Sequence, residues 1–296
     1  MKSKLEWTKE KVRLERASRL ADEIVGSRQQ PIDPLDIVRF ESPLLVAGGR
    51  NLGNKYDGKL EYHRSRKKFL LFYNTKYDLW TRPGTHHPRT RFSVSHELGH
   101  YFIDAHREYL LRGGKAHPSS SENFSGPLVE READAFAANL LLPTRLIAPI
   151  AKAGQLSIDR LIDVANDFQV SLLSTMIRCV RLTDFPCAVA GIKDGAVAWM
   201  FPSDSLIAAQ IYPKRGRLPR TAQESWDEFE SGSDVCVVDD GLVRNWFELY
   251  DRDDFYRIPL LEEYMPARSL DTLIVLLTLD EADVNPDDDE PTDHND

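Results

Sequence analysis

His96 and His100 stand four residues apart in the segment HELGH (96–100). A helix turns about 100° per residue, so positions i and i+4 return to one face, whereas offsets of two or five do not. A helix through this segment aims both imidazoles at a single point. Glu97 follows the first histidine, within reach of a water held at that point. The flanking sequence supports the helix. KKFLLFYNTKYDLW (67–80) is rich in Phe, Tyr and Leu and predicts a strand or strand pair. The polar linker TRPGTHHPRT follows, and Ser93 or Ser95 offers an N-cap for a helix through HELGHYFIDAH. Gly99 within that helix costs about 1 kcal/mol relative to Ala, and a locally unfavourable residue at a chemical motif is expected of a functional site.

Two histidines at this spacing with a glutamate beside the first form the pattern of two zinc ligands plus a general base, as used in peptide hydrolysis. A five-letter match with two free positions also arises by chance, so the surrounding sequence has to supply more. Catalytic zinc takes three protein ligands and keeps one position for water. Two candidates compete for the third place. His106 lies six residues after His100, but that arrangement calls for a glycine at position 103, and the residue there is the β-branched Ile103. The alternative is GPLVEREADAFAANLLLP (126–143). Pro127 suits the first helical position, Leu128, Phe136, Leu140 and Leu141 form an apolar stripe, and Pro143 ends the helix. Glu130 and Asp134 then share one face. One carboxylate could bind the metal while the other accepts a hydrogen bond from a ligand histidine. Glu132 points about 200° away from Glu130 and is expected to be a solvated charge. Glu130 and Asp134 on an ordinary exposed face would be the default reading without HELGH upstream.

The stretches RTRFSVSHELGH (89–100) and EREADAFAANLLLP (130–143), in that order around a variable loop, resemble the ImmA/IrrE metallo-endopeptidases. The similarity extends less specifically over SRLADEIVGSRQQPIDPLDIVRF (18–40) and covers roughly residues 15–182. The resemblance implies His96, His100 and Glu130 as metal ligands, Glu97 as the general base and Asp134 as the partner of a ligand histidine. It also implies a cytoplasmic, gluzincin-like protease that cleaves a helix-turn-helix repressor and so switches on stress or mobile-element genes. The chain departs from many relatives in showing no separate repressor-like DNA-binding domain at its N-terminus. It also carries roughly a hundred further residues after the helical region.

The remaining composition narrows the classes. A chain of 296 residues with 42% hydrophobic content can bury a proper core. Its net charge of −9 argues against broad nucleic-acid binding, although RSRKK (64–68) is a local basic patch, expected to be a solvated loop or strand edge. Cys179, Cys187 and Cys236 show neither metal spacing nor an even disulfide framework, and read as reduced thiols. The charged N-terminus lacks the apolar core of a signal peptide, and no run reaches the length of a membrane span. A cytoplasmic protein is expected.

The expected fold class is α+β. A zincin-like peptidase domain with a small sheet and the HExxH helix (1–150) is followed by a helical, helix-turn-helix-like unit (151–183). A mainly antiparallel α+β domain for sensing or docking (184–281) and a disordered acidic tail (282–296) complete it. Within the first part, a helix over about 8–26, a short helix over 32–41, a strand in PLLVAGG and a strand pair over 56–74 are predicted; an extended substrate could pair with an edge of that sheet. Residues 107–126 read as a polar loop over the site. In 156–182, two apolar-faced helices meet near FQVS with Ser171 as cap; only Arg178 and Arg181 could read DNA there, so packing or a protein partner is favoured. Farther on, AVAGIKDGAVAWMF (188–201) predicts a hairpin turning at Asp194-Gly195, 233–251 gives further alternating apolar residues, and 269–281 predicts a long final strand. The expected cofactor is one Zn2+, with Mn2+ as the alternative. The expected partner is a protein substrate, a helix-turn-helix repressor, with neither membrane nor direct nucleic-acid binding. The competing class is a non-catalytic metal-containing regulator that binds a repressor. Glu97 speaks against it, since a structural site needs no base. Tyr73, Tyr77, Arg91, His106 and His117 are the positional candidates for an oxyanion donor, and Asp104 for a ligand partner or a plain helix-end charge.

Overall fold

Strands β1 (Leu45–Arg50), β2 (Gly58–His63) and β3 (Lys68–Asn74) form a sheet in the order β1-β3-β2, with β1 parallel and β2 antiparallel to the central β3. The computed structural model describes residues 4–82, 84–115, 127–214, 216–234, 236–250 and 253–284. These divide into two units, one of residues 1–145 with 164–174, the other of 146–163 with 175–296.

The sheet belongs to the first unit, with helices α1 (Lys4–Val25), α2 (Pro34–Phe40), α3 (Pro88–Phe102), α4 (Asp104–Leu111) and α5 (Leu128–Leu141). α1 buries Ala17, Ala21 and Val25 and ends at Gly26, whose φ of +50° is the left-handed stop that glycine supplies. Asp33 caps α2 by accepting from the Leu35 amide at 3.0 Å. β2 and β3 are joined by a 3-10 turn over Arg64–Arg66, which is exposed, as the basic patch reading expected. α3 packs on β2 and β3 with one side and on α5 with the other, and α5 also packs along α1. The core joins Leu45, Leu60, Phe69 and Leu71 of the sheet to Val94, Leu98 and Tyr101 of α3 and Phe136 and Leu140 of α5. Each large apolar side chain buried there contributes about 1.5–3 kcal/mol. That core fixes α3 and α5 side by side.

Several local expectations change in this unit, and the helix expected through HELGHYFIDAH breaks at Ile103 into α3 and α4. α3 starts at Pro88, well before Ser93 and Ser95, with the His87 Nδ1 accepting from the Arg89 amide at 3.2 Å. Ser93 and Ser95 instead donate to the Arg89 and Arg91 carbonyls at 2.9 and 2.8 Å, the back-bonding of mid-helix serines. The segment expected to be a loop from 107 continues α4 to Leu111; its portion 116–126 lies outside the described residues.

α6 (Thr144–Ala151), α7 (Ile158–Phe168) and α8 (Leu172–Leu182) follow, with Gln169 at φ +54° between the last two and the Ser171 hydroxyl accepting from the Ser174 amide at 3.2 Å. The second unit is built on an antiparallel sheet ordered β7-β5-β4-β11-β10-β8. Its strands are β4 (Cys187–Lys193), β5 (Ala196–Pro202), β7 (Gly216–Arg217), β8 (Val237–Leu242), β10 (Pro259–Ala267) and β11 (Thr272–Thr278); β6 (Tyr212–Pro213) and β9 (Phe247–Glu248) pair separately. Short helices α9 (Asp204–Ala208), α10 (Gln223–Glu230), α11 (Val243–Trp246) and α12 (Glu281–Val284) complete the described elements. Asp194 and Gly195 sit at φ +51° and +67°, the two left-handed residues of a type I′ hairpin turn. All seven residues of β11 are buried. Val275 and Leu277 pack into a core with Trp226, Trp246 and Phe255. The chain is thus a mixed α+β protein with the expected small sheet, HExxH helix and mainly antiparallel second sheet. Most of the acidic tail, 285–296, lies outside the described residues.

Candidate metal centre

α3 presents His96 and His100 on the side that meets α5, and α5 presents Glu130 from its first turn. The His96 Nε2 lies 3.2 Å from the His100 Nε2 and 3.2 Å from a Glu130 carboxylate oxygen. The other Glu130 oxygen is 3.7 Å from the His100 Nε2. One ligand atom from each of the three residues falls within 4.8 Å of the others, a span that a cation can bridge. Both histidines are buried and Glu130 is partly exposed.

The far nitrogens of the two imidazoles are also held. The His96 Nδ1 lies 2.9 Å from the Asp134 carboxylate, one turn beyond Glu130 on α5. The His100 Nδ1 lies 3.1 Å from the His106 Nδ1 on α4. His106 does not join the cluster of ligand atoms. The chain breaks between α3 and α4 at Ile103, which reaches the break with extended dihedrals of φ −74° and ψ 111°. No left-handed glycine is required, and the resulting turn sets His106 behind His100.

The charges reinforce one another. Burial alone would lower the His96 pKa, but the carboxylates of Asp134, Glu130 and Glu97 outweigh it and push the ring up to about 10. Burial raises Glu130 in the same way, and the hydrogen bonds from His100 and His96 overcome it and hold its carboxylate well below the usual range. The carboxylates that favour a protonated His96 favour positive charge at this point. Two imidazole nitrogens and a carboxylate, each imidazole anchored through its second nitrogen, are a donor set suited to a divalent ion of the zinc type.

Glu97 is wholly buried beside His96. Glu132 departs from the sequence expectation. It is only 5% exposed, not solvated, and its carboxylate lies between the His106 Nε2 at 3.1 Å and the guanidinium of Arg13, whose Nε donates at 2.7 Å. Nothing local in EREAD signals this, because the cation that neutralises Glu132 comes from α1, 119 residues earlier. Gly99 also has a packing role. A Cβ there would lie 3.0 Å from the Ala133 Cα and 3.2 Å from the Ala133 carbonyl oxygen, so glycine is what lets α3 and α5 approach.

The other positional candidates fall elsewhere. Arg91 is buried and donates to the Ile32 carbonyl at 2.7 Å. Tyr77 donates to Asp57 at 3.2 Å, and Tyr73 packs edge-on against His86 with ring centroids 5.7 Å apart. Asp104 is an exposed charge in the first turn of α4, where it favours the helix dipole. His117 lies outside the described residues.

Residues 52–179 match the family model described as the IrrE N-terminal-like domain of the M78 peptidases. The match includes HELGH and the Glu130–Asp134 helix. No curated protein matches the chain. Among solved structures, a Mycobacterium tuberculosis transcriptional regulator is similar at a TM-score of 0.52 and 13% identity, over 92% of this chain and 77% of that one. At this identity the likeness concerns the fold. Among the described residues, no helix is long and apolar enough to cross a membrane.

Proposed function

From the match of residues 52–179 to the IrrE N-terminal-like domain model, we propose that the chain is a zinc-dependent endopeptidase acting on a helix-turn-helix transcriptional repressor. The observation that carries this reading is the convergence of His96, His100 and Glu130, with a buried glutamate next in sequence to the first histidine. His96 and His100 would hold the ion through Nε2 and Glu130 through its carboxylate. Mn2+ is the alternative ion. When bound, the ion supplies Lewis acidity for hydrolysis of a peptide bond.

The protein's own groups divide the remaining work. Asp134 accepts the Nδ1 proton of His96 and keeps Nε2 free to ligate. Glu97 takes a proton from the attacking water and returns it to the departing amine, so the peptide bond breaks with net consumption of one water. A structural metal site would have no use for a buried carboxylate beside its first ligand, which favours the peptidase over a regulator that only binds. Direct DNA reading by α8 gains no support from Arg181, whose guanidinium lies over the Phe201 ring at 5.4 Å.

The test is incubation of the Zn2+-loaded protein with the repressor encoded beside it, followed by mass spectrometry of new termini. Cleavage at one defined bond is expected, lost in Glu97→Gln while metal content and melting temperature persist. Release of the repressor without cleavage, unchanged in Glu97→Gln, would leave a binding role instead.

A further inference from the structure

Behind His100 lies a chain of polar contacts that leads out of the pocket. The His100 Nδ1 meets the His106 Nδ1 at 3.1 Å, and the His106 Nε2 meets the Glu132 carboxylate at 3.1 Å. Glu132 is in turn clasped by the Nε and Nη2 of Arg13 on α1. The inner members are shielded from water, with side chains 4% exposed at His106 and 7% at Glu132; Arg13 is 43% exposed. Four elements, α3, α4, α5 and α1, thus contribute one residue each.

The proton positions are self-consistent. If His100 ligates through Nε2, its Nδ1 carries the proton and donates to the His106 Nδ1. His106 then carries its own proton on Nε2 and donates to Glu132. The acceptor at the end is a carboxylate fixed by the planar fork of an arginine. α1 grips this part of α5 twice, since Arg131 also pairs with Glu10. The two residues that follow Glu130 are therefore both tied to α1.

We propose that His106, Glu132 and Arg13 form a positioning relay that sets the ring orientation of His100, so that the N-terminal helix α1 governs how tightly the pocket holds its metal ion. The proposal rests on the metal reading of His96, His100 and Glu130. It assigns two ligand histidines different supports: Asp134 on α5 for His96, and a relay to α1 for His100. It also gives α1 a role at the site, although none of its described residues is among the candidate ligands.

Competition between the full-length protein and a Zn2+ chelator tests this, together with the visible spectrum of the Co2+-substituted protein. His106→Phe removes both hydrogen bonds and is expected to weaken Zn2+ binding about ten- to a hundredfold and to shift the Co2+ bands. His106→Gln, whose amide can accept from His100 and donate to Glu132, is expected to restore most of the affinity. Arg13→Met, at the half-exposed end, is expected to weaken binding to a smaller extent, with the metal-free melting temperature recording any loss of fold separately. Unchanged affinity and an unchanged Co2+ spectrum in His106→Phe and Arg13→Met, in protein that binds one Zn2+ when unmutated, would overturn the relay and leave the metal site standing. Failure of the unmutated protein to bind Zn2+ would overturn both.

Discussion

The Asp134 carboxylate lies 2.9 Å from the His96 Nδ1, so the nitrogen facing away from Glu130 is held by a residue one turn farther along the same helix. A single helix therefore supplies both a candidate ligand and the group that aims another. Asp134 is partly exposed, with a side-chain exposure of 38%, so its removal opens no cavity and acts through His96. Asp134→Ala is expected to weaken Zn2+ binding by about ten- to a hundredfold and to lower the melting temperature of the metal-free protein below neutral pH, where Asp134 helps hold the protonated His96. Chelator competition and thermal unfolding measure the two effects. Full Zn2+ affinity in the variant would show that His96 needs no such support.

Gly99 makes a second prediction, about spacing. Alanine would gain about 1 kcal/mol of helix propensity but drive its Cβ against the Ala133 backbone, and overpacking of this kind costs about 1–3 kcal/mol. Gly99→Ala is expected to lower the melting temperature and to weaken Zn2+ binding by moving Glu130 away from His96. An equally stable variant with full affinity would show that α3 and α5 adjust without consequence.

Acid tests the two carboxylates in the first turns of α5. Burial raises both, but His100 and His96 hold Glu130 below the ordinary value of 4.5, and Arg13 and His106 do the same for Glu132. A carboxylate depressed in the folded state contributes stability above its unfolded value and loses it as the pH falls through the folded one. His96 has the opposite sign. Pushed up to about 10 against an ordinary 6.5, it contributes fully below 6.5 and loses its share as the pH rises toward 10. The metal-free protein is therefore expected to be most stable between these limits, and Glu132→Gln to flatten the acid limb. Urea unfolding across pH reads both. An acid limb of unchanged steepness in Glu132→Gln would contradict the assignment.

In the second unit, β10 carries Glu262 into the core, where it accepts from the Trp246 Nε1 at 2.7 Å, from the Thr221 hydroxyl at 3.2 Å and from the Tyr264 hydroxyl. Burial raises its pKa, the largest influence on it. Glu262→Leu would strand buried donors at about 1–3 kcal/mol each, whereas Glu262→Gln keeps an acceptor oxygen. The leucine variant is expected to lose several times more stability than the glutamine variant in chemical denaturation. Equal losses would mean that these hydrogen bonds contribute nothing measurable.

What could be read from the chain followed how local its cause is. The HELGH helix, the helix carrying Glu130 and the Asp194-Gly195 hairpin each announce themselves through spacing or turn chemistry within a few residues. The features that escaped depend on distant partners. Glu132 reads as a surface charge until Arg13 and His106 are placed around it. Gly99 reads as a cost tolerated for chemistry until the Ala133 backbone appears against it. Strand β10 is concealed by Glu262 and Glu263, adjacent charges that no strand pattern invites. One is satisfied by Trp246, Thr221 and Tyr264, and the other accepts from the Ile158 amide at 3.0 Å. The start of α3 departs from expectation for a related reason: Ser93 and Ser95 resemble caps, but Pro88 begins the helix, and the serine hydroxyls turn back onto it.

Two imidazoles from α3 and one carboxylate from α5 converge on a common point. An anomalous difference map from crystals grown with Zn2+ examines whether an ion sits there. One peak is expected, bounded by the His96 Nε2, the His100 Nε2 and the Glu130 carboxylate, and absent in Glu130→Ala. A peak bounded by other side chains, or a peak that keeps its full height in Glu130→Ala, would contradict it.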